Sequence, residues 1–170
     1  MALGRAPRCL LLTQAYIQFD STLSSWEPSL GNIDRALAAD FHVLVTYVWR
    51  DPIDALVHGT LPRAMRIGRT VPLSSHSRTH PGARQTVLAL LQRYRGDPRV
   101  TIAVFENPQS GGDPFLVRRD EGWLRNRPEG RPETLADRLR AALTLERDHE
   151  RINLAVHRGT VGSSSDALNA

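Results

Sequence analysis

The 170-residue chain contains no lysine, so every one of its 22 basic residues is arginine. A guanidinium stays charged and forks onto phosphates or carboxylates, but it cannot act as a general base or form a Schiff base. Lysine-dependent covalent chemistry is therefore absent from these residues, and so is any phosphate-binding loop of the form Gly-x-x-x-x-Gly-Lys-Ser/Thr. The single cysteine, Cys9, rules out an internal disulfide framework. With Leu10, Leu11 and Leu12 beside it, Cys9 reads as an apolar core filler rather than a nucleophile. No apolar run approaches the roughly 20 residues of a membrane span. The short run at Cys9–Leu12 also falls below the roughly 7–15 residues of a secretion signal's apolar region. These absences lead to the expectation of a cytoplasmic protein with no membrane partner.

What is present is ordinary in amount and uneven in placement. A hydrophobic fraction of 41% suits one soluble domain. The net charge of +4 is modest, and the pI of about 10.2 reflects arginine's high pKa more than a basic excess. Nucleic acid is accordingly not an expected partner.

Apolar, β-rich runs alternate with helical patterns. The first run is weak, somewhere between Cys9 and Phe19, and ends at Gln18-Phe19-Asp20. Leu30, Ile33, Leu37 and Ala38 mark one face of a helix expected over Pro28–Ala39, with Asp34 and Arg35 on its wet side. His42–Trp49 is nearly continuously apolar, as in a parallel strand buried on both faces. Asp51 is placed to cap a helix beginning at Pro52 that carries Ile53, Leu56 and Val57 inward. Gly59, Pro62, Gly68, Pro72, Pro81 and Gly82 then punctuate an arginine-rich stretch, read as a long functional loop over residues 59–82 with one helical turn around Arg63-Ala-Met-Arg66. A helix follows over Ala83–Arg95 with Gly96 as its stop, and Val100–Phe105 forms the next strand. The pattern is α/β: a parallel sheet of about three strands flanked by helices. Asn107–Gly130 reads as loop, Pro132–His149 as an amphipathic helix on Leu135, Leu139, Ala142 and Leu143, and residues 159–170 as a flexible tail. The expected division is a core over residues 1–107, a loop plus C-terminal helix over 108–158, and the tail.

Ligands of open α/β sheets bind beyond the carboxyl ends of the strands. Asp20, Arg50 and Asp51, and Glu106 and Asn107 fall at such ends. Arg63, Arg66, Arg69 and Arg78 supply mobile cations nearby, an arrangement suited to spreading the charge of a transferring phosphoryl group. His76 and His80 have the i, i+4 spacing of a metal pair, but no third ligand accompanies them, and no metal site is expected. Trp123, near Arg125 and Arg127, is expected to anchor a loop to the core rather than to stack on a base.

A series of segments, taken in order, resembles the zeta-toxin family of P-loop kinases, in the form carried by bacterial mobile elements. The series is Gln18-Phe-Asp-Ser-Thr-Leu23, Tyr47-Val-Trp-Arg-Asp-Pro52, Leu61-Pro-Arg-Ala-Met-Arg66 and Gly68-Arg-Thr-Val-Pro72. It continues through Thr79-His-Pro-Gly-Ala-Arg-Gln-Thr-Val87 and Asp97-Pro-Arg-Val100, and covers roughly Tyr16–Asn107. The resemblance implies a P-loop NTPase-like fold and phosphorylation of a nucleotide sugar, such as UDP-N-acetylglucosamine, from ATP and Mg²⁺. It implies Asp20 and Thr22 as acceptor-binding residues. Arg69, with Arg63 or Arg66, would be the lid arginines on the ATP phosphates, with Arg78 as a further cofactor contact. An antitoxin is the partner such a toxin would have. The family's opening strand, Gly-rich loop and catalytic acid have no counterpart in the 19 residues before Asp20. The chain is therefore expected to be a truncated or split part of a kinase, inactive until a P-loop-bearing polypeptide joins it. The alternative is a non-catalytic nucleotide- or nucleic-acid-binding protein of a mobile element.

Overall fold

The computed structural model describes residues 16–108, 116–127 and 131–162. Residues 16–25 run without regular structure into helix α1, Trp26–Ala38. Strand β1, Val43–Trp49, leads to the short helix α2, Pro52–Ala55, a π-helical turn at Leu56–Thr60, and helix α3, Leu61–Ile67. The long helix α4 spans Leu73–Arg93 and β2 spans Val100–Glu106. Strand β3, Val117–Arg119, helix α5, Glu121–Arg125, helix α6, Pro132–Asp148, and helix α7, Leu154–Val161, complete the order.

The sheet is α/β in its connections but mixed in direction. β1 and β2 are parallel, with Val43 opposite Val100 and Trp49 opposite Glu106. β3 lies antiparallel on the far side of β2, in the order β1-β2-β3. This corrects the expectation of a wholly parallel sheet. The third strand comes from Val117–Arg119, inside the stretch read as loop. The described part of the first apolar run, residues 16–19, forms no strand, and its Cys9 end lies outside the described residues. Three residues are too few for a period-2 pattern to stand out, so β3 leaves no trace in the sequence.

Strand β1 is also not buried on both faces. Val45, Tyr47 and Trp49 are buried, whereas Leu44 is 67% exposed and Val48 is 44% exposed. Its buried face meets α1 and α4 through Ile33, Leu90, Ala83 and Val87. A second core forms among helices alone, where Leu56, Leu61, Ala64 and Leu73 pack with Leu135, Leu139, Leu143, Ile152 and Val156. Helix α6 thus buries the stripe its spacing forecast.

The expected loop over residues 59–82 is mostly helical. Leu61, Ala64, Leu73, His76 and Ser77 are buried at helical spacing, and that burial outweighs the glycines and prolines. Pro81 lies inside α4, and Pro62, Gly68, Pro72 and Gly82 sit in or between helices. Pro62 stands at the start of α3, just past the π-helical turn. Gly68 ends α3 with φ +72°, and Pro72 precedes α4. Gly82 sits where the backbone of residues 16–25 crosses α4: a Cβ there would stand 2.5 Å from the Ser24 carbonyl oxygen. The expected tail begins inside α7, whose Thr160 is fully buried; residues 163–170 lie outside the described set.

Candidate anion-binding pocket

Three arginines meet at the carboxyl end of β1. Arg50, Arg63 and Arg69, with Ala55, Gly59, Thr60, Thr70 and Val71, line a pocket of about 390 Å³. Arg50 follows the last residue of β1 directly. Its guanidinium donates to the Asp54 carboxylate one helical turn on, and His58 Nε2 lies 3.9 Å from the same carboxylate. The turn that follows is built to stay close: the Asp51 carboxylate accepts from the amides of Ile53 and Asp54 at 2.9 and 3.1 Å, capping α2 as its sequence foretold. The π-helical turn brings Gly59 against Arg50, with the position of a Cβ 3.6 Å from Nη1. Such widened turns recur at functional sites.

Arg63 lies on α3, whose apolar side is sunk in the helical core at Leu61 and Ala64. Arg69 follows the left-handed Gly68 that ends the same helix. Neither Arg63 nor Arg69 makes an ion pair among the described residues, and both are exposed. Among the described residues, no Asp or Glu lines the pocket. Two unpaired guanidinium groups with two threonine hydroxyls and no lining carboxylate suit an anion with several acceptor oxygens.

The other residues singled out from the sequence lie elsewhere. Arg66 and Arg78 are exposed on α3 and α4 and do not line this pocket. Asp20 and Thr22 are exposed, and the Thr22 hydroxyl is 2.9 Å from that of Ser24. Their odd-numbered neighbours Ile17, Phe19, Ser21 and Leu23 line a separate groove of about 450 Å³ against α1 and the start of β1. The structure therefore brings Arg63 and Arg69 together and leaves Asp20 and Thr22 apart from them. Arg50, Thr60 and Thr70 are additions to the site. Arg50 was legible as a strand-end residue and Thr70 lies in one of the resembling segments, with no role read for it; Thr60 carried no signal.

His76 and His80 stack on one face of α4, ring centroids 5.9 Å apart and planes 14° from parallel. His76 is 8% exposed, and its Nε2 is buried with no hydrogen-bond partner among the described residues. Burial, and secondarily the neighbouring His80, lower its pKa to about 4. Burial lowers His80 as well, opposed by the Asp51 carboxylate. Among the described residues, no group of three or more His, Cys, Asp or Glu side chains could hold a metal ion.

Trp123 meets Trp49 edge to face at 5.4 Å, and the guanidinium of Arg127 lies 4.3 Å from its ring centre. Arg119 approaches the same ring at 5.3 Å while donating to Glu106 at 2.8 Å. The indole is thus occupied as an anchor, the role read from the sequence. Asp120 and Glu121, inside the stretch read as loop, cap and brace α5: the Asp120 carboxylate accepts from the Trp123 amide at 2.7 Å, and Glu121 pairs with Arg95 and Arg125.

No protein-family model matches this chain, and no curated protein sequence matches it. No described helix is long and apolar enough to cross a membrane.

Proposed function

We propose that this chain binds the phosphoryl groups of a small molecule through Arg50, Arg63 and Arg69, as the arginine-bearing part of a zeta-toxin-like kinase. The observation that carries the reading is the meeting of Arg69 with Arg63, one of the two arginines the resemblance offered beside it, and with Arg50 beyond the carboxyl end of a parallel strand. That position is where open α/β sheets take ligands. The residues fit the phosphates of ATP: the arginines would neutralise their charge, and the Thr60 and Thr70 hydroxyls would add donors. They offer Mg²⁺ no carboxylate from the pocket wall. Mg-ATP, when bound, would bring the transferable phosphoryl group. The chain's own contribution is charge neutralisation and orientation, with the phosphate-binding loop supplied by another polypeptide and a nucleotide sugar as acceptor.

One observation favours a second reading, a non-catalytic nucleotide-binding protein. Of the carboxylates nearest the pocket, Asp54 is held by Arg50 and Asp51 caps α2, so neither is placed as a general base.

Calorimetric titration of the whole chain with Mg-ATP, and separately with pyrophosphate, tests the binding that both readings share. Micromolar affinity is expected for both. Arg69→Ala and Arg63→Ala should each weaken it by about 10- to 100-fold, the worth of one charge-assisted hydrogen bond. Arg66→Ala and Arg78→Ala should leave it unchanged. A folded chain that binds neither ligand would overturn the proposal. Phosphoryl transfer after addition of a P-loop-bearing partner separates kinase from binding protein.

A further inference from the structure

Among the described residues, the outer edge of β1 is a row of backbone groups without ladder partners. The Val43 amide donates to the Arg99 carbonyl at 2.8 Å, and the Trp49 carbonyl accepts from the Asn107 amide at 2.8 Å. Both residues therefore bond toward β2, and alternation along the strand turns the amides and carbonyls of Leu44, Thr46 and Val48 the other way. Among the described residues those groups have no ladder partner, because β1 ends the sheet. Natural edges are usually blunted with charge, proline or a bulge. This one has none of these: Val43–Trp49 is seven residues without a charge, glycine or proline, paired to β2 in unbroken register.

We propose that this edge pairs with the same edge of a second copy of the chain, antiparallel across a two-fold axis at Thr46. The outward-bonding residues are symmetric about Thr46, so an isologous contact places Thr46 opposite Thr46 and Leu44 opposite Val48. All three pairs are then of the hydrogen-bonded type, exchanging six backbone bonds, and a threonine pair and two aliphatic pairs are favourable neighbours across strands. The strand carries no charge, so a copy meets it without like-charge opposition. The product is a continuous six-stranded sheet, a commoner size than three. It would also draw the exposed side chains of Leu44, Val48, Ile17 and Phe19 toward cover.

The register makes the proposal testable by single cysteines. Opposed residues of a hydrogen-bonded antiparallel pair lie about 5.5 Å apart at Cα, within disulfide range. In a Cys9→Ser background, Thr46→Cys should give a disulfide-linked dimer on mild oxidation. Leu44→Cys and Val48→Cys should do so only together in one chain, since each alone sits about 13 Å from its own copy at ~3.3 Å per residue. Sedimentation of the unmodified chain should show a dimer. Thr46→Pro should be monomeric with unchanged far-ultraviolet circular dichroism, because the lost amide points outward. Leu44→Lys offers a second monomeric variant should proline unfold the strand. A monomeric unmodified chain, or equal crosslinking by Leu44→Cys and Thr46→Cys, would overturn the proposal. The first result would leave the edge to a strand of some other polypeptide.

Discussion

Strand β1 has two very different surroundings. Its carboxyl end gives onto a pocket walled by α2, the π-helical turn, α3 and residues 69–71 and lined by three arginines, while its outer edge faces a groove lined mainly by apolar residues. The closed side is held by leucines with no exposure, Leu56, Leu135, Leu139 and Leu143, and carries its charge on the outside of that packing. The open side displays apolar residues and offers hydrogen bonds in place of charge. A rigid support beneath mobile cations suits a small charged ligand, whereas an uncharged edge with unsatisfied amides suits another strand. One strand thus presents two binding chemistries, separated by what packs against it.

The largest effect that would sharpen this contrast is on stability. Leu139→Ala, in the middle of the helical core, should cost about 2–5 kcal/mol, whereas Leu44→Ala on the open face of the isolated chain should stay within about 0.5 kcal/mol. Denaturant unfolding at a concentration below self-association measures both. Equal losses would mean that the open face is covered in solution by something within the same chain, and the contrast would fail.

Next in size is a pH effect confined to the closed side. His76 has its pKa lowered to about 4 from 6.5, so the folded protein resists the proton that the unfolded chain accepts. Stability should therefore be complete above pH 6.5 and fall as the pH drops toward about 4, by up to roughly 3 kcal/mol from His76. His80 is lowered too and adds in the same direction. Glu146, held low first by the Arg151 hydrogen bond, and Asp97, held low by the Arg99 amide, lose their contributions only below about pH 4.5. The interval between pH 6.5 and 4.5 belongs to the histidine pair. Unfolding midpoints measured across it should slope for the unmodified chain and be flatter for His76→Gln. An equal slope in both would show that the stacked pair is not the cause.

The same contrast explains what could be read beforehand. Helices α1, α2 and α6 and strands β1 and β2 were legible because each is long or capped: Asp51 and Pro52 mark a start, and Leu135, Leu139 and Leu143 mark a stripe. The stretch over residues 59–82 was misread because glycine and proline report local backbone needs, and here those needs arise inside helices. Gly82 makes room for Ser24, and Gly68 turns the chain between two helices. The arginine pocket was half legible. Arg63 and Arg69 were named from resemblance, but which arginines share a cavity depends on the angle between α3 and the segment after it. That angle is set by contacts with α6 and α7, more than 60 residues away in sequence. Asp20 looked like a strand-end residue only while a strand was supposed to precede it.

The smallest expected effect is also the most local, and it links the far end of the chain to the pocket. Helix α7 lies against the segment that carries Arg69, with Val156 in the helical core and the Asn153 amide 3.4 Å from Met65 Sδ. At Gly159 the approach is closest: a Cβ would stand 2.5 Å from Thr70 Oγ1 and 2.9 Å from its Cγ2. Gly159→Ala must therefore push α7 away or displace Thr70, at a cost of about 1–3 kcal/mol for overpacking. If Thr70 gives way, Arg69 moves with it and pyrophosphate affinity falls while Arg63 is untouched. Thr70→Gly in the same chain removes the opposing side chain together with its hydroxyl, so the double variant should return to the affinity of Thr70→Gly alone, a result that general destabilisation would not produce. Affinity unchanged in Gly159→Ala would mean that α7 yields instead, and that the pocket's shape is set by α3 alone.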